Sequence, residues 1–542
     1  MKKILLLLFF ISAHAASTAQ TRQDTVALIE KIFELYKPAN PGCQLAVSRN
    51  GQVIFSRAWG TADLEHQVPL TTKSVIEAGS VSKQFTAAAI LLLEQSGILS
   101  LHDDVRKYVP ELPDYGTPIT LQQLMQHTSG LKDWGSIMAL SDWPRSTKTY
   151  SNRDVLYILS HQPSLNHRPG DEYLYSNSNY VLLAIITERV SGKSLAEFTR
   201  SAIFEPAGMT HTQWRSDLKK VVLNRAVAYG KNEDGYFTDM PNENVYGNGG
   251  LLTTAEDLLR WNRYYVTGKL GNPSLLARQL SVKPLNGGQA NTYAAGLRVD
   301  SLRGWLSITH DGATAGYRSI LEYYPELDLS IAWLANTAEF DGMHDGTAEL
   351  RNLLIEDKSV KRVYQNPEPI TLAAEKLKRY TGWYRDILTG NGLLLTVKDN
   401  QLTANKGGIL TPIAEDEFMQ GQARLEVLGG PRKRLRLSGG SRTIVYEAVA
   451  PAMENPQVLK EYTGEYYSDQ TDARLTVGLS EGRLIIHRYS GADYGLIPTY
   501  KDGFAIQNSS VIVHFERNKS GAITMLNFTT ARVRNIGFKK IR

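Results

Sequence analysis

An eight-residue phrase occurs twice in the last third of the chain. Leu377-Lys378-Arg379-Tyr380-Thr381-Gly382-Trp383-Tyr384 returns as Leu459-Lys460-Glu461-Tyr462-Thr463-Gly464-Glu465-Tyr466, at an offset of 82 residues. Further echoes follow: Leu395-Thr396-Val397 with Leu475-Thr476-Val477, Pro412 with Pro498, and Phe418 with Phe504. Both copies consist of short alternating apolar and polar runs broken by Gly, Asp and Asn. That texture predicts strands with tight turns, and two copies of about 80 residues predict two small antiparallel β-barrels rather than a solenoid. The boundaries expected are 371–450 and 457–542, with the seam at Pro451 and Pro456 and a linker around Asn366-Pro367-Glu368-Pro369.

The segment before the repeat is organised differently. Residues 24–37 have amphipathic helical spacing. Two strand-like runs follow, 43–49 and 52–59, joined at Asn50-Gly51, a strong hairpin signal. Ser80 to Gln95 is rich in Ala and Leu, with Gly97 as a stop. Helical patterns alternate with Pro- and Gly-marked loops through 100–300. Strand alternation returns at Trp305–Thr309, Arg318–Tyr324 and Leu329–Leu334, the last two joined through Pro325. Strands at both ends of a largely helical middle predict an α+β domain over 20–362, an antiparallel sheet covered by helices plus a helical region.

The chain opens with Met1-Lys2-Lys3, eight apolar residues from Ile4 to Ile11, and small residues ending in Ala13-His14-Ala15 or Ser17-Thr18-Ala19. This order predicts a cleavable signal peptide over 1–19 and export to a periplasm or beyond the cell. No apolar run reaches the length of about twenty residues that a spanning helix needs. The single cysteine, Cys43, begins an apolar strand and is expected to be a buried structural thiol. With 60 basic against 55 acidic residues in 542, the formal charge of +5 is too small to suggest a nucleic-acid partner. The basic excess falls after residue 366 and includes Arg432, Lys433, Arg434 and Arg436, read as a solvated β-surface.

Phosphate-loop glycines, His-Glu-x-x-His pairs and Cys/His clusters are missing from the sequence, so phosphate-loop and zinc chemistry have no sequence support. What remains is Ser80-Val81-Ser82-Lys83. Serine and lysine three residues apart on a helix share a face, and a serine hydroxyl becomes a nucleophile only when a neighbouring base takes its proton. The positive helix amino end favours the alkoxide and oxyanion that follow. The same spacing at Ser216-Asp217-Leu218-Lys219 opens no apolar helix.

A second polar group is needed to pass protons to a leaving group. Tyr175-Ser176-Asn177 follows Pro169-Gly170 and precedes an apolar helix, a setting that can present a phenol and an amide. Tyr150-Ser151-Asn152 is expected instead to cap a helix at 153–160, and Tyr246-Gly247-Asn248 to be a glycine-rich turn. The third element is His310-Asp311-Gly312, expected directly after the strand Trp305–Thr309. There Gly312 would let backbone approach a substrate, and the amide of Ala313 would serve as an oxyanion donor. His344-Asp345-Gly346 repeats the triplet before a helical run and is set aside.

Together with Glu77-Ala78-Gly79-Ser80, His127-Thr128-Ser129-Gly130-Leu131 and Gly249-Gly250-Leu251-Leu252-Thr253-Thr254, these motifs resemble the serine penicillin-recognising hydrolases. That β-lactamase-like family includes class C β-lactamases, DD-peptidases, esterases and D-aminopeptidases. The resemblance, over about 24–355, implies an acyl-enzyme on Ser80 with Lys83 as base and Tyr175 as proton relay. Asn177 would orient Lys83 and substrate, the amides of Ser80 and Ala313 would hold the oxyanion, and no metal or organic cofactor would be needed. His310 stands where β-lactamases and DD-peptidases usually carry lysine, and a neutral imidazole holds carboxylate poorly near pH 7. The His-x-Gly form and the two barrels resemble D-aminopeptidases, so amide bonds of short D-residue peptides are the expected substrates, with peptidoglycan fragments as natural candidates. The alternatives are an esterase, a β-lactamase or DD-carboxypeptidase, and a non-catalytic binder of cell-wall fragments.

Overall fold

The computed structural model describes residues 24–141, 143, 147–272, 274–340, 344–358, 367–405, 408–429, 433–439, 442–453, 455–488 and 492–542. The expected signal peptide lies outside them. The chain forms two compact units that interleave along the sequence. One is built from the described residues of 1–99, 187–281 and 292–361; the other from those of 100–186, 282–291 and 362–542.

The first unit is organised by a six-stranded antiparallel sheet. Its strands are β1 (Cys43–Arg49), β2 (Gln52–Trp59), β3 (Arg298–Leu302), β4 (Trp305–Thr314), β5 (Tyr317–Tyr324) and β6 (Leu329–Ala335), in the order β3-β4-β5-β6-β1-β2. The two ends of the domain therefore meet at the β6–β1 pair, with Cys43 opposite Ala335 and Arg49 opposite Leu329. The β1–β2 hairpin turns at Asn50 and Gly51, both at positive φ, the conformation that Asn-Gly supplies at least cost. Every residue of β6 is buried, which explains its unbroken apolar run: as an interior strand it is covered on both faces.

On one face, Ile29 and Phe33 of helix 24–33 and Leu350 and Leu354 of helix Thr347–Leu354 pack on Leu45, Val47, Ile331 and Trp333. Helix Ala255–Val266 lies against β1 and β6 and is secured where the amide of Ala255 donates to Oε1 of Gln44. Cys43 is buried as expected, and burial pushes its thiol up.

The second unit holds the helices Leu121–Met125, Trp134–Leu140 and Asn152–Ser160 and both repeats. Each repeat closes into an eight-stranded antiparallel barrel. The first runs from Gly382–Asp386 to Arg442–Val449, closed by Trp383 opposite Val449; the second runs from Gly464–Ser468 to Ile536–Lys540, closed by Tyr466 opposite Lys540. The shared phrase builds the same device twice. Tyr384 Oη donates to the Tyr380 carbonyl at 2.8 Å, and Tyr466 Oη to the Tyr462 carbonyl at 2.7 Å. Tyr380 and Tyr462 meet Phe418 and Phe504 edge-on at 5.0 and 5.3 Å. Pro412 and Pro498 sit opposite those phenylalanines, each next to a register shift where a proline is tolerated. Arg434 and Arg436 project from a strand into solvent, and Arg436 pairs with Glu426.

Within this unit the second barrel is fastened to the helical segment. Arg534, 4% exposed, makes two hydrogen bonds to Glu172 at 2.9 and 2.7 Å. The Asn166 side chain accepts from the Arg534 amide and donates to the Arg532 carbonyl.

Candidate active site

Ser80 lies in the 3-10 turn Gly79–Ser82, which runs directly into helix Lys83–Gln95. Gly79 takes a φ of +47°, the left-handed region that a glycine enters readily. The turn is fixed from several directions. Ser82 Oγ donates to the Gly79 carbonyl and accepts from the Leu251 amide, while the Ala78 amide donates to the Leu251 carbonyl. Just upstream, Glu77 is fully buried and receives Nε and Nη2 of the buried Arg215 at 2.8 and 3.1 Å. The apolar stretch Phe85 to Leu91 then buries the helix and holds the turn on a rigid base.

Lys83 is completely buried, yet its Nζ reaches Ser80 Oγ at 2.9 Å and donates to the Asn248 carbonyl at 2.5 Å. Ser80 itself is half-exposed. A buried amine touching a solvent-reachable hydroxyl is the arrangement a lysine base needs. Tyr246-Gly247-Asn248 lies in the expected glycine-rich turn, and the carbonyls of Asn248 and Gly247 bind Lys83 and Thr86 of the nucleophile helix.

The His310 triplet departs from expectation. It does not follow the strand but lies inside it, because β4 continues to Thr314 with His310 opposite Leu321 and Gly312 opposite Ser319. The pairing of β3 with β4 stops at Thr309, so 310–314 pair on one side only. Gly312 presses against the nucleophile turn: a Cβ there would lie 2.2 Å from the Ala78 carbonyl oxygen and 2.9 Å from the Ser80 amide. The Ala313 amide nitrogen would in turn be 2.8 Å from a Cβ on Gly79. The backbone of 312–313 therefore runs close beside the Ser80 turn, as a two-amide oxyanion site requires.

His310 is 2% exposed. Its Nδ1 donates to the Asp311 carbonyl at 2.6 Å, so Nε2 accepts the Tyr293 phenol at 2.8 Å. Burial, and then the positive charge of Lys83, push its pKa down to about 4. The imidazole is neutral near pH 7, with both nitrogens engaged by the protein. It supplies no positive charge where a lysine would hold a carboxylate.

In the second unit, Tyr175 and Asn177 are held by the segment that begins at His127. The His127 carbonyl accepts the Leu174 amide, and its Nδ1 accepts the Ser176 amide at 3.2 Å. The Tyr175 ring lies 4.2 Å from the His127 ring, centroid to centroid. Ser129 Oγ donates to Asn179, and Ser178 Oγ donates to the Lys132 carbonyl. Asp133 caps helix Trp134–Leu140 with one oxygen and accepts the Asn177 amide with the other at 2.8 Å. His127 and Asp133, which no local sequence pattern marks as partners of this segment, thus hold Ser176 and Asn177 in place. The Arg532 guanidinium, from the second barrel, lies 4.8 Å over the Tyr175 ring. By contrast, Ser151 of Tyr150-Ser151-Asn152 caps Asn152–Ser160 in a box with Asp154, as expected.

Among the described residues one trio of possible metal ligands stands close together, Asp63, Glu65 and His66. His66 Nδ1 is 2.8 Å from Asp63, in a turn between two short strands.

An antiparallel sheet bearing a serine–lysine turn beside one of its strands defines the active-serine hydrolase class. The chain belongs to the β-lactamase family, whose model ("Beta-lactamase") matches residues 25–355, and it is a serine hydrolase of that family. It is similar along nearly its whole length to a D-aminopeptidase from Brucella anthropi, 24% identical over 96% of this chain and 99% of that one. It is 29% identical to penicillin-binding protein 4* from Bacillus subtilis, over 54% of this chain and 67% of that protein. Against protein flp of Staphylococcus aureus and a D-aminopeptidase of Cereibacter sphaeroides, the aligned part spans 63% and 57% of the relative's length. The fold matches the D-amino acid amidase of Ochrobactrum anthropi SV3 with a TM-score of 0.51, at 22% identity over 62% of this chain and 98% of that one.

Proposed function

We propose that the protein is an exported amidohydrolase that cleaves short peptides or amides bearing a D-residue, through an acyl-enzyme on Ser80. The contact of Lys83 Nζ with Ser80 Oγ at 2.9 Å carries this reading. Ser80 Oγ attacks the carbonyl carbon as its proton passes to Lys83 in its neutral amine form, and the amides of Ser80 and Ala313 take the oxyanion. Tyr175 relays that proton from Lys83 to the leaving nitrogen as the C–N bond breaks, with Asn177 orienting Lys83 and substrate. Water then attacks the ester carbonyl and frees Ser80.

The D-residue preference is supported by the likeness to a D-aminopeptidase across 96% of the chain. The neutral, doubly bonded His310 favours amide or ester substrates over β-lactams and carboxypeptidase substrates, which rely on a cation at that position. Export is supported by the basic and apolar start of the sequence.

Intact-mass analysis with a fluorophosphonate probe is the test. A single adduct on the wild type and none on Ser80→Ala is the expected result; adducts on both, or on neither, overturn the acyl-enzyme. A panel of D- and L-aminoacyl amides, acyl esters and nitrocefin then sets the substrate, and turnover of esters alone would end the peptidase assignment.

A further inference from the structure

Beyond Thr309 the strand β4 loses its neighbour β3, and among the described residues the stretch carrying His310, Gly312 and Ala313 forms a ladder with β5 alone. Arg298 of β3 stands opposite Thr309, so the residues just before Arg298 are the ones that would continue the ladder. They turn away instead. The Ala294 amide donates to the Leu297 carbonyl, and Gly296 takes a φ of +76°. A Cβ on Gly296 would lie 2.7 Å from the Gln84 amide nitrogen and from the Lys83 carbonyl carbon, so this turn is seated on the start of the nucleophile helix. Gln279 fixes it there. Its Nε2 donates to the carbonyls of Ala295 and Gln84 at 2.9 and 3.1 Å, and its own carbonyl accepts the Ala295 amide.

A side chain spans the gap that the backbone leaves. Tyr293, 1% exposed, donates its phenol to Nε2 of His310 at 2.8 Å, with the two rings edge to face at 5.6 Å. One turn therefore rests on Lys83 and Gln84 through its backbone and holds β4 through Tyr293. Nδ1 of His310 already donates to the Asp311 carbonyl. The phenol proton keeps Nε2 as the acceptor, so the imidazole is held in one tautomer and one orientation.

We infer that Tyr293 is a positioning residue for the hydrolytic reaction: through His310 it sets the backbone of 312–313 against the turn that carries Ser80 and Lys83. This role rests on the acyl-enzyme reading of Ser80. Oxyanion donors work only when they are held in place before the charge develops. A buried hydrogen bond to the side chain two residues before Gly312 does this from outside the reaction path. Misplacement by about 1 Å from a remote change can cost about 10²-fold in rate, so a bond at this position has a measurable effect.

The test is the saturation kinetics of Ser80 labelling by an alkyl fluorophosphonate on the full-length protein, which separates the half-saturating probe concentration from the limiting rate. Tyr293→Phe keeps the ring and removes the donor. It should lower the limiting rate about tenfold, equivalent to about 1.4 kcal/mol, with the half-saturating concentration unchanged. Two changes at His310 separate positioning from packing, since a glutamine amide reaches the place of Nε2 and an asparagine amide that of Nδ1. His310→Gln should keep most of the limiting rate. His310→Asn should fall to the level of Tyr293→Phe, and adding Tyr293→Phe to it should cost nothing more. A lowered melting temperature with a wild-type limiting rate in Tyr293→Phe, or a further loss in the double variant, overturns the inference. If Tyr293→Phe does not fold, equal limiting rates for His310→Gln and His310→Asn overturn it. A wild type that takes no label overturns the acyl-enzyme, and the role of Tyr293 with it.

Discussion

Glu77 holds Arg215 through two parallel hydrogen bonds, both side chains sealed from water, three residues before the nucleophile. Among the described residues, Arg215 meets one other carboxylate, Glu243 at 3.7 Å. Removing one partner of a buried pair strands the other charge, at a cost of roughly 3–5 kcal/mol. Glu77→Ala should lower the melting temperature clearly and slow labelling of Ser80 by a fluorophosphonate. A melting temperature and labelling rate equal to the wild type would show that the pair does not position the Ser80 turn.

Gly312 marks the tightest approach of the sheet to that turn. An added methyl would meet the Ala78 carbonyl at 2.2 Å and Ser319 Oγ at 2.3 Å, contacts that only backbone movement can relieve. That movement displaces the Ser80 amide from any oxyanion it holds. Loss of a single such donor costs about 10²–10³ in kcat, so Gly312→Ala should lose at least that much. Gly429→Ala, where the added methyl meets nothing within 4 Å, is the control and should turn over normally. Equal kcat for both variants would remove the 312–313 backbone from the mechanism.

The buried imidazole of His310 gives acid sensitivity a definite sign. Its pKa in the fold is about 4 against an ordinary value of 6.5, so the unfolded chain takes up a proton there first. The stability associated with this group is complete above pH 6.5 and declines as the pH falls toward 4. His310→Gln, which cannot charge, should flatten the chemical-denaturation midpoint across that window. An unchanged slope would place the acid lability elsewhere.

The sequence disclosed what is local. Asn50-Gly51 marked the hairpin, because two adjacent residues supply the turn geometry, but not the register shift between Val47 and Ser48. The pairing of Ser80 with Lys83 was equally readable, because one helical turn joins them. The repeat predicted the barrels, since each Tyr-Thr-Gly phrase carries its own hydrogen bond back along the chain. Contacts made by backbone groups over long separations left no such trace. The Asn248 carbonyl that takes Lys83 lies 165 residues away and depends on no particular side chain. The His127 ring that accepts the Ser176 amide is 49 residues distant. A glycine in a strand weakens the alternating pattern, so Gly312 looks like a strand end from sequence. Its real cause is the close passage of the Ser80 turn.

Lys132 supplies the opposite case to His310, a cation kept inside the fold. It is 1% exposed, and burial lowers its pKa to about 8 from 10.5. Its ammonium donates to an amide oxygen, that of Gln470, at 3.2 Å. Between pH 8 and 10.5 the unfolded chain holds the proton that the fold has released, so stability should rise with pH through that window. Below pH 8 the fold carries the burial cost in full, roughly 3 kcal/mol at the upper limit. Lys132→Met keeps the length of the side chain and removes the charge, while the half-buried Gln470 amide can turn toward water. The variant should therefore show no rise in urea midpoint from pH 8 to 10.5, where the wild type does. A parallel rise in both proteins would mean that Lys132 is neutralised by a partner in the fold and is not an isolated buried charge.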